Sequence, residues 1–316
     1  MSAFGFSPPC SESMIFPARV RIVEVSPVYL STVLNTCQRP PDLTDFVRRL
    51  TRAGVKFIAI RQNVSDPSNA RLQRSRARDI NIVDPRDAHF LGDALDRIPI
   101  SPDEAQTLAA VTLDVTTSDA FATGAWGSSA AVRVDECLQT MAQLRDCGTD
   151  VRVRINVAFG CPYQGIIDCD DVARLAEVLY THGSTEVILA DTIGVATPRE
   201  CAALTSNVAA RIPRSCIGVR FHDTYGLALT NIFSCLANGV TSIESSLGGV
   251  HAPARGNYLQ TPVTTEDVVH LLRGLDIECG VDLHALVAAS HYIARARGQA
   301  PISRTAMALD AIGCRT

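Results

Sequence analysis

The sequence predicts a (β/α)8 TIM barrel with a helical C-terminal extension. Three observations carry the prediction. Strand-like and helix-like stretches alternate along most of the chain, in about eight βα units with no break in composition. Hydrophobic residues make up 47% of the chain and aromatics only 5%, the aliphatic balance of helices packed on parallel strands. The first strand is followed by PVYLST (27–32), with no glycine, whereas an open dinucleotide-binding sheet carries a glycine-rich turn there. The 316 residues are long for one core but suit a barrel of roughly 250 residues with additions.

Strands are predicted at 21–26 (RIVEVS), 55–60 (VKFIAI), 80–83 (INIV), 110–115 (AVTLDV), 151–159 (VRVRINVAF), 185–191 (TEVILAD), 216–222 (CIGVRFH) and 240–245 (VTSIES). Helical spacing marks 43–54, 135–148, 170–183, 197–212 and 225–239, four of these closing on a glycine. Thr197 followed by Pro198 reads as an N-cap and first-turn proline. From 264, TTEDVVHLLRGL and VDLHALVAASHYIARARG read as further helices, the first capped by Thr264 or Thr265. The expected division is an N-terminal arm over 1–18, loosely held, the barrel over 19–263, and the extension over 264–316, packed on the barrel.

A net charge of -4 argues against nucleic acid or an anionic membrane as partner. No run of about 18 uncharged apolar residues marks a membrane span. The 11 cysteines include no Cys-x-x-Cys pair and follow no secretion signal, which reads as reduced thiols in the cytoplasm.

Barrel chemistry sits at the C-terminal ends of the strands. Residues two apart share a face, so Arg220 and His222 are expected together in the mouth. Glu24, Ser26, Asp114, Asn156, Asp191 and Glu244 are the other polar residues at strand ends. Ordinary structural readings stand beside these. Arg220 needs a counter-charge, which Asp191 or Asp223 would supply, and the Asp-Thr pairs at 191–192 and 223–224 suit turns and caps. Lys56, the only lysine, alternates outward. Cys161 lies on a loop, without a group to activate it.

GCPYQG (160–165), ADTIGVATP (190–198), FHDTYGLALTNIFSCLANGV (221–240) and RGNYLQTPVTTEDVVHLLRGLDIECGVDL (255–283) resemble 3-hydroxy-3-methylglutaryl-CoA lyase, and VRIVEVSP (20–27) fits that family's first strand. The resemblance is close over 151–283 and faint over 61–110. It implies a TIM-barrel carbon–carbon lyase. In that family a divalent cation is held by an aspartate after strand 1, two histidines on strand 7 and an asparagine after strand 8. A neighbouring arginine and a loop cysteine assist. Against that pattern, Val28 stands for the arginine and Tyr29 for the ligand aspartate. Arg220 stands for the first histidine, and only His222 remains of the pair. Asn257 matches the asparagine, the loop 248–257 is shortened and lacks the cysteine, and Ala59 replaces a glutamate at the mouth.

The expected reading is a diverged, metal-independent enzyme that works through an enolate or oxyanion on a small carboxylic or acyl substrate, in specialised metabolism. The reaction class stays open between C–C cleavage or formation, decarboxylation, and isomerisation or cyclisation. Arg220 would take the place of the metal, His222 would be acid and base with a pKa near neutrality, and Asp191 would orient it or act as base. Tyr29 would donate a hydrogen bond or move protons. Glu24, Asn156, His251, Arg255 and Asn257 would line the substrate pocket. No cofactor is expected, and a +2 ion beside a guanidinium is disfavoured. If one binds, His222 and Asn257 are its ligands. The altered loop argues against a CoA thioester. Two alternatives stay open: a non-catalytic binding protein, and a metal-dependent lyase with recruited ligands. A homodimer is expected by analogy with the family.

Overall fold

The computed structural model describes residues 16–28, 42–61, 89–93, 108–251 and 261–313. Eight parallel strands close into a barrel in sequence order. They are β1 (Arg21–Glu24), β2 (Phe57–Arg61), β3 (His89–Asp93), β4 (Ala110–Val115), β5 (Asp150–Ile155), β6 (Glu186–Asp191), β7 (Ile217–Phe221) and β8 (Ser242–Ser245). Closure comes from β1 beside β8, with Arg21 opposite Ser242 and Val23 opposite Glu244. The ring leaves no sheet edge.

The third strand differs from the expectation. HFLGD (89–93) carries no β-branched residue and includes a glycine, so propensity gives no sign of it. Pairing makes it a strand: Phe57 faces His89, and Leu91 faces Ala110. The stretch 80–83, predicted as that strand, lies outside the described residues.

The described helices are α1 (Leu43–Arg52), α2 (Asp119–Trp126), α3 (Ala130–Asp146), α4 (Cys169–Thr181), α5 (Pro198–Ala209), α6 (Ala228–Ala237), α7 (Thr265–Gly274), α8 (Leu283–Arg297) and α9 (Arg304–Gly313). Among them no helix is long and apolar enough to cross a membrane. The cap expected at Thr197 is present as a full capping box with Glu200. Thr264 caps α7 by accepting from the Asp267 amide. The short α2 was not expected; Ser118 caps it through the Phe121 amide. Because α7 follows β8 as each helix follows its strand, it is the barrel's own last helix. The extension proper is α8, which packs on α1 across the seam, and α9, which packs on α7.

The arm is firmly held where it is described. Phe16 packs on Phe233 of α6 with ring centroids 5.3 Å apart. The backbone of Ala18 and Val20 bonds to Glu278 at 3.1 and 2.9 Å. The loose arm expected over 1–18 is corrected for its last residues by these contacts.

Alternation along the strands separates two environments. Val111, Leu113, Val115, Val151, Val153, Ile155, Val187, Leu189, Val219, Phe221 and Ile243 face the helices and form the main core. Each such side chain contributes about 1.5–3 kcal/mol by leaving water. The opposite parity carries Thr112, Asp114, Arg152, Arg154, Glu186, Arg220, Ser242 and Glu244, all buried. The stability of the barrel lies in its outer apolar layer, and its interior is charged.

One buried acid sits outside that charged interior. Glu266, in the first turn of α7, is fully buried and accepts the Gly248 amide at 3.2 and 3.1 Å. Burial pushes its carboxyl up to about 7 from 4.5. A raised folded pKa favours the folded state fully below pH 4.5, and that advantage is lost as the pH rises to about 7. Glu266→Gln is therefore expected to gain roughly 3 kcal/mol relative to wild type between those pH values, with a constant difference outside them. Urea unfolding of both proteins from pH 4 to 8.5, on the order of six pH points, reads this directly; a pH-independent difference would contradict it.

Candidate active site

The barrel interior is tied together by arginines. Arg154 grips Asp114 with Nε and Nη2 at 2.8 and 3.0 Å, and its Nη1 reaches Glu244 Oε2 at 3.1 Å. Arg152 reaches Glu186 through Nε at 2.8 Å and Glu244 Oε1 through Nη2 at 3.0 Å. Arg220 Nη1 meets Glu244 Oε2 at 3.3 Å. Arg21 completes the set on Glu186. β5 touches β8, and β1 touches β6, only across the interior, so these side chains point inward. Glu244 is thus shared by three guanidinium groups. Burial alone would raise its carboxyl, but Arg154, Arg152 and Arg220 outweigh burial and hold it at about 2.

Among the described residues of this network, Arg21, Arg152, Arg154 and Arg220 face Asp114, Glu186 and Glu244. A buried ion network of this kind gains little net stability over an apolar core, so its worth lies in the field it creates.

His222 stands just beyond β7, above Arg220. Its Nδ1 lies 2.9 Å from the backbone oxygen of Asp191. A carbonyl only accepts, so Nδ1 carries the proton and Nε2 carries the lone pair. Burial first, and Arg220 second, push the imidazole down to about 3. The expectation of a pKa near neutrality is corrected: His222 is a neutral imidazole at working pH. His251, half-buried on the loop after β8, also disfavours the charged form of His222.

Several expected roles change. The Asp191 carboxylate does not touch the imidazole. It accepts the Val195 and Ala196 amides at 3.0 and 2.9 Å and caps the loop before α5, so Asp191 orients His222 through its carbonyl instead. Burial raises that carboxyl to about 6. Asp223 caps α6 through the Ala228 amide at 2.9 Å. Glu244 is therefore a counter-charge of Arg220, in place of Asp191 or Asp223. Glu24 has the parity opposite to Arg21 and faces Thr265 of α7, outside the ring; it does not line the mouth. Asn156 does reach the interior, where its amide donates to Asp114 at 2.7 Å. Tyr29, Arg255 and Asn257 lie outside the described residues. Lys56 is exposed, and Cys161 is buried beside the Ser118 hydroxyl at 3.2 Å.

Sequence reasoning missed Arg152, Arg154 and Val157. The alternation Arg152, Arg154, Asn156 along β5 is the signal that finds the first two: charges at period two mark one face. Val157 adopts φ 51°, which a β-branched residue rarely tolerates, and its amide donates to the Thr192 hydroxyl at 2.8 Å. That strain follows β5 directly into the mouth, and nothing in the local sequence announces it.

The described residues do not fit a divalent cation. No group of three His, Cys, Asp or Glu among them is placed to hold a metal. His222 offers one lone pair, but Arg220 beside it repels a +2 ion, and Val28 is buried in the apolar core.

A family model described as HMGL-like matches residues 44–293. A Pseudomonas aeruginosa protein named 3-hydroxy-3-isohexenylglutaryl-CoA/hydroxy-methylglutaryl-CoA lyase is 31% identical over 299 residues, covering 94% of this chain and 99% of that one. Bovine mitochondrial hydroxymethylglutaryl-CoA lyase is 36% identical over 179 residues, 55% of either chain. The crystal structure of hydroxymethylglutaryl-CoA lyase from Pseudomonas aeruginosa superposes with a TM-score of 0.82 at 31% identity, covering 94% of this chain and 99% of that one. The closed ring, the strand order and the loops that carry His222 and Cys161 therefore have a common origin with those enzymes, and the chain belongs to the HMGL-like family of carbon–carbon lyases.

Proposed function

We propose that this protein is a metal-independent carbon–carbon lyase that cleaves a 3-hydroxyacyl thioester or acid through an enolate. The observation that supports it most is the buried guanidinium of Arg220, held by Glu244, beside a neutral His222 at the end of β7. The names of the full-length relative and the bovine enzyme support a CoA thioester as substrate, against the expectation drawn from the shortened loop. The replaced residues support a role in specialised metabolism.

The step balances without a metal. Nε2 of His222 takes the proton of the 3-hydroxyl. The oxygen's electrons form the new carbonyl as the C2–C3 bond breaks. The bond's electrons pass to the departing acyl carbon and its carbonyl, as an enolate. Arg220 holds the enolate oxygen, with a charge that persists at every working pH. The proton on His222 then returns to the enolate carbon, which yields the acyl product and restores the imidazole. Forming an imidazolium in this field is costly, so the transfer runs in concert with bond cleavage.

Arg220→Ala is expected to lower kcat by at least about a hundredfold with an unchanged circular dichroism spectrum. The assay uses 3-hydroxy-3-methylglutaryl-CoA and 3-hydroxy-3-isohexenylglutaryl-CoA first. Unaltered turnover would remove Arg220 from the mechanism. Binding without turnover by wild type would favour a non-catalytic protein.

Metal content separates the remaining reading. Protein stripped with chelator and re-supplied with magnesium, manganese or zinc is expected to retain none at stoichiometric level after gel filtration, by elemental mass spectrometry. Near-stoichiometric uptake would return the protein to the metal-dependent lyases, with His222 and Asn257 among its ligands.

The His222 imidazole is expected to show no titration in 15N-detected histidine spectra between about pH 5 and 8, because burial and Arg220 keep it neutral there. A midpoint near 6.5 would mean that the interior field does not reach it.

A further inference from the structure

Two buried carboxylates hold the segment after β8, and the proposed chemistry uses neither. Glu24 and Glu266 are both fully buried. Glu24 Oε1 accepts the amides of Ser26 and Leu247, each at 2.9 Å, and Oε2 accepts the Thr265 hydroxyl. Glu266 accepts the Gly248 amide with both oxygens, at 3.2 and 3.1 Å. Consecutive amides of one 3-10 turn, Leu247–Gly249, thus end on two different carboxylates. Burial raises both carboxyls, Glu266 to about 7, and an acid held away from water costs free energy in either protonation state unless its oxygens are hydrogen-bonded. An orientation held at that cost calls for a use.

The turn leaves the barrel in one direction. Gly248 and Gly249 both have left-handed φ, 59° and 67°. A Cβ at Gly249 would lie 2.2 Å from Ile302 Cδ1, so a larger residue there has to displace that side chain in addition to adopting the left-handed backbone. The chain returns at 261–263 along the end of β7: the Asp223 amide donates to Thr261, and the Val263 amide to Phe221 at 3.1 Å. The returning foot therefore stands beside His222, bridged to it at Pro262, and the outgoing foot, bonded to Val263 through the Ser246 amide at 3.1 Å, leads within two residues of Gly249 to His251.

We propose that Glu24 and Glu266 are positioning residues: the two carboxylates clamp the amides of Leu247 and Gly248, and so fix the outgoing foot of the β8–α7 loop, with His251, over His222. The inference rests on the barrel mouth being the reaction site. The loop ends that surround an active centre have to be placed closely, because a displacement of about 1 Å costs roughly a hundredfold in rate.

The test compares Glu24→Ala, Glu24→Gln, Glu266→Ala and Glu266→Gln with wild type. Glutamine keeps an acceptor oxygen and alanine does not. Amide hydrogen exchange over 246–251 is expected to speed up at least about tenfold in the alanine variants, while exchange in β4, β5 and β6 stays at the wild-type rate. In the same variants kcat is expected to fall by about tenfold or more with KM changed far less, and the glutamine variants to recover most of it. Unchanged exchange over 246–251 would overturn the clamp. So would equal loosening of β4–β6, which indicates support of the fold alone, or glutamine variants as impaired as the alanines. If the alanine variants do not fold, Glu24→Asp and Glu266→Asp, which draw the oxygens back by one methylene, carry the same expectations. If wild type turns over no substrate, the reading of the mouth fails, and the exchange measurement alone decides the clamp.

Discussion

One carboxylate organises this barrel. Glu244 lies inside the ring, and the guanidinium groups of Arg152, Arg154 and Arg220 converge on its two oxygens. The usual barrel interior is filled with bulky aliphatic layers. Here the interior layers are ions, and the strands of opposite walls are tied to one another through them. Such pairs repay their desolvation only when geometry and hydrogen bonds are nearly complete, so the arrangement favours one register over any other. The energy that keeps the chain folded comes from elsewhere, from the aliphatic layer between strands and helices.

The consequences run upward to the mouth. Glu244 holds Arg220 at the end of β7, where burial and that guanidinium act together. A histidine placed there resists protonation, and His222 accordingly stays neutral with its lone pair on Nε2. The same charge that discourages a divalent cation favours an anionic substrate or an enolate.

The outer face of the barrel has its own polar constraint. Glu24 and Ser245 point away from the interior and meet Thr265 at the start of α7. Glu266 follows on the same helix turn. The seventh helix and the first strand are thereby joined at the root of the segment that follows β8. Val157, with its left-handed backbone, shows a comparable constraint on the opposite rim after β5.

The barrel, seven of its eight strands, the Thr197 cap and the placing of Arg220 and His222 together at the end of β7 were all legible in the sequence. They depend on local periodicity and on residues near one another in the chain. So was the family, because GCPYQG, ADTIG and HDTYG are contiguous motifs. β3 was not legible: HFLGD becomes a strand only through its neighbours. Glu24 was misread because a polar residue at a strand end has two faces to choose from, and only the closure of the ring shows which is inside. The partner of Arg220, the neutral state of His222 and the turned-away Asp191 carboxylate depend on groups 24 and 31 residues distant in sequence, brought together by barrel closure. Electrostatics and orientation are properties of that enclosed space, and so only the tertiary structure decided them.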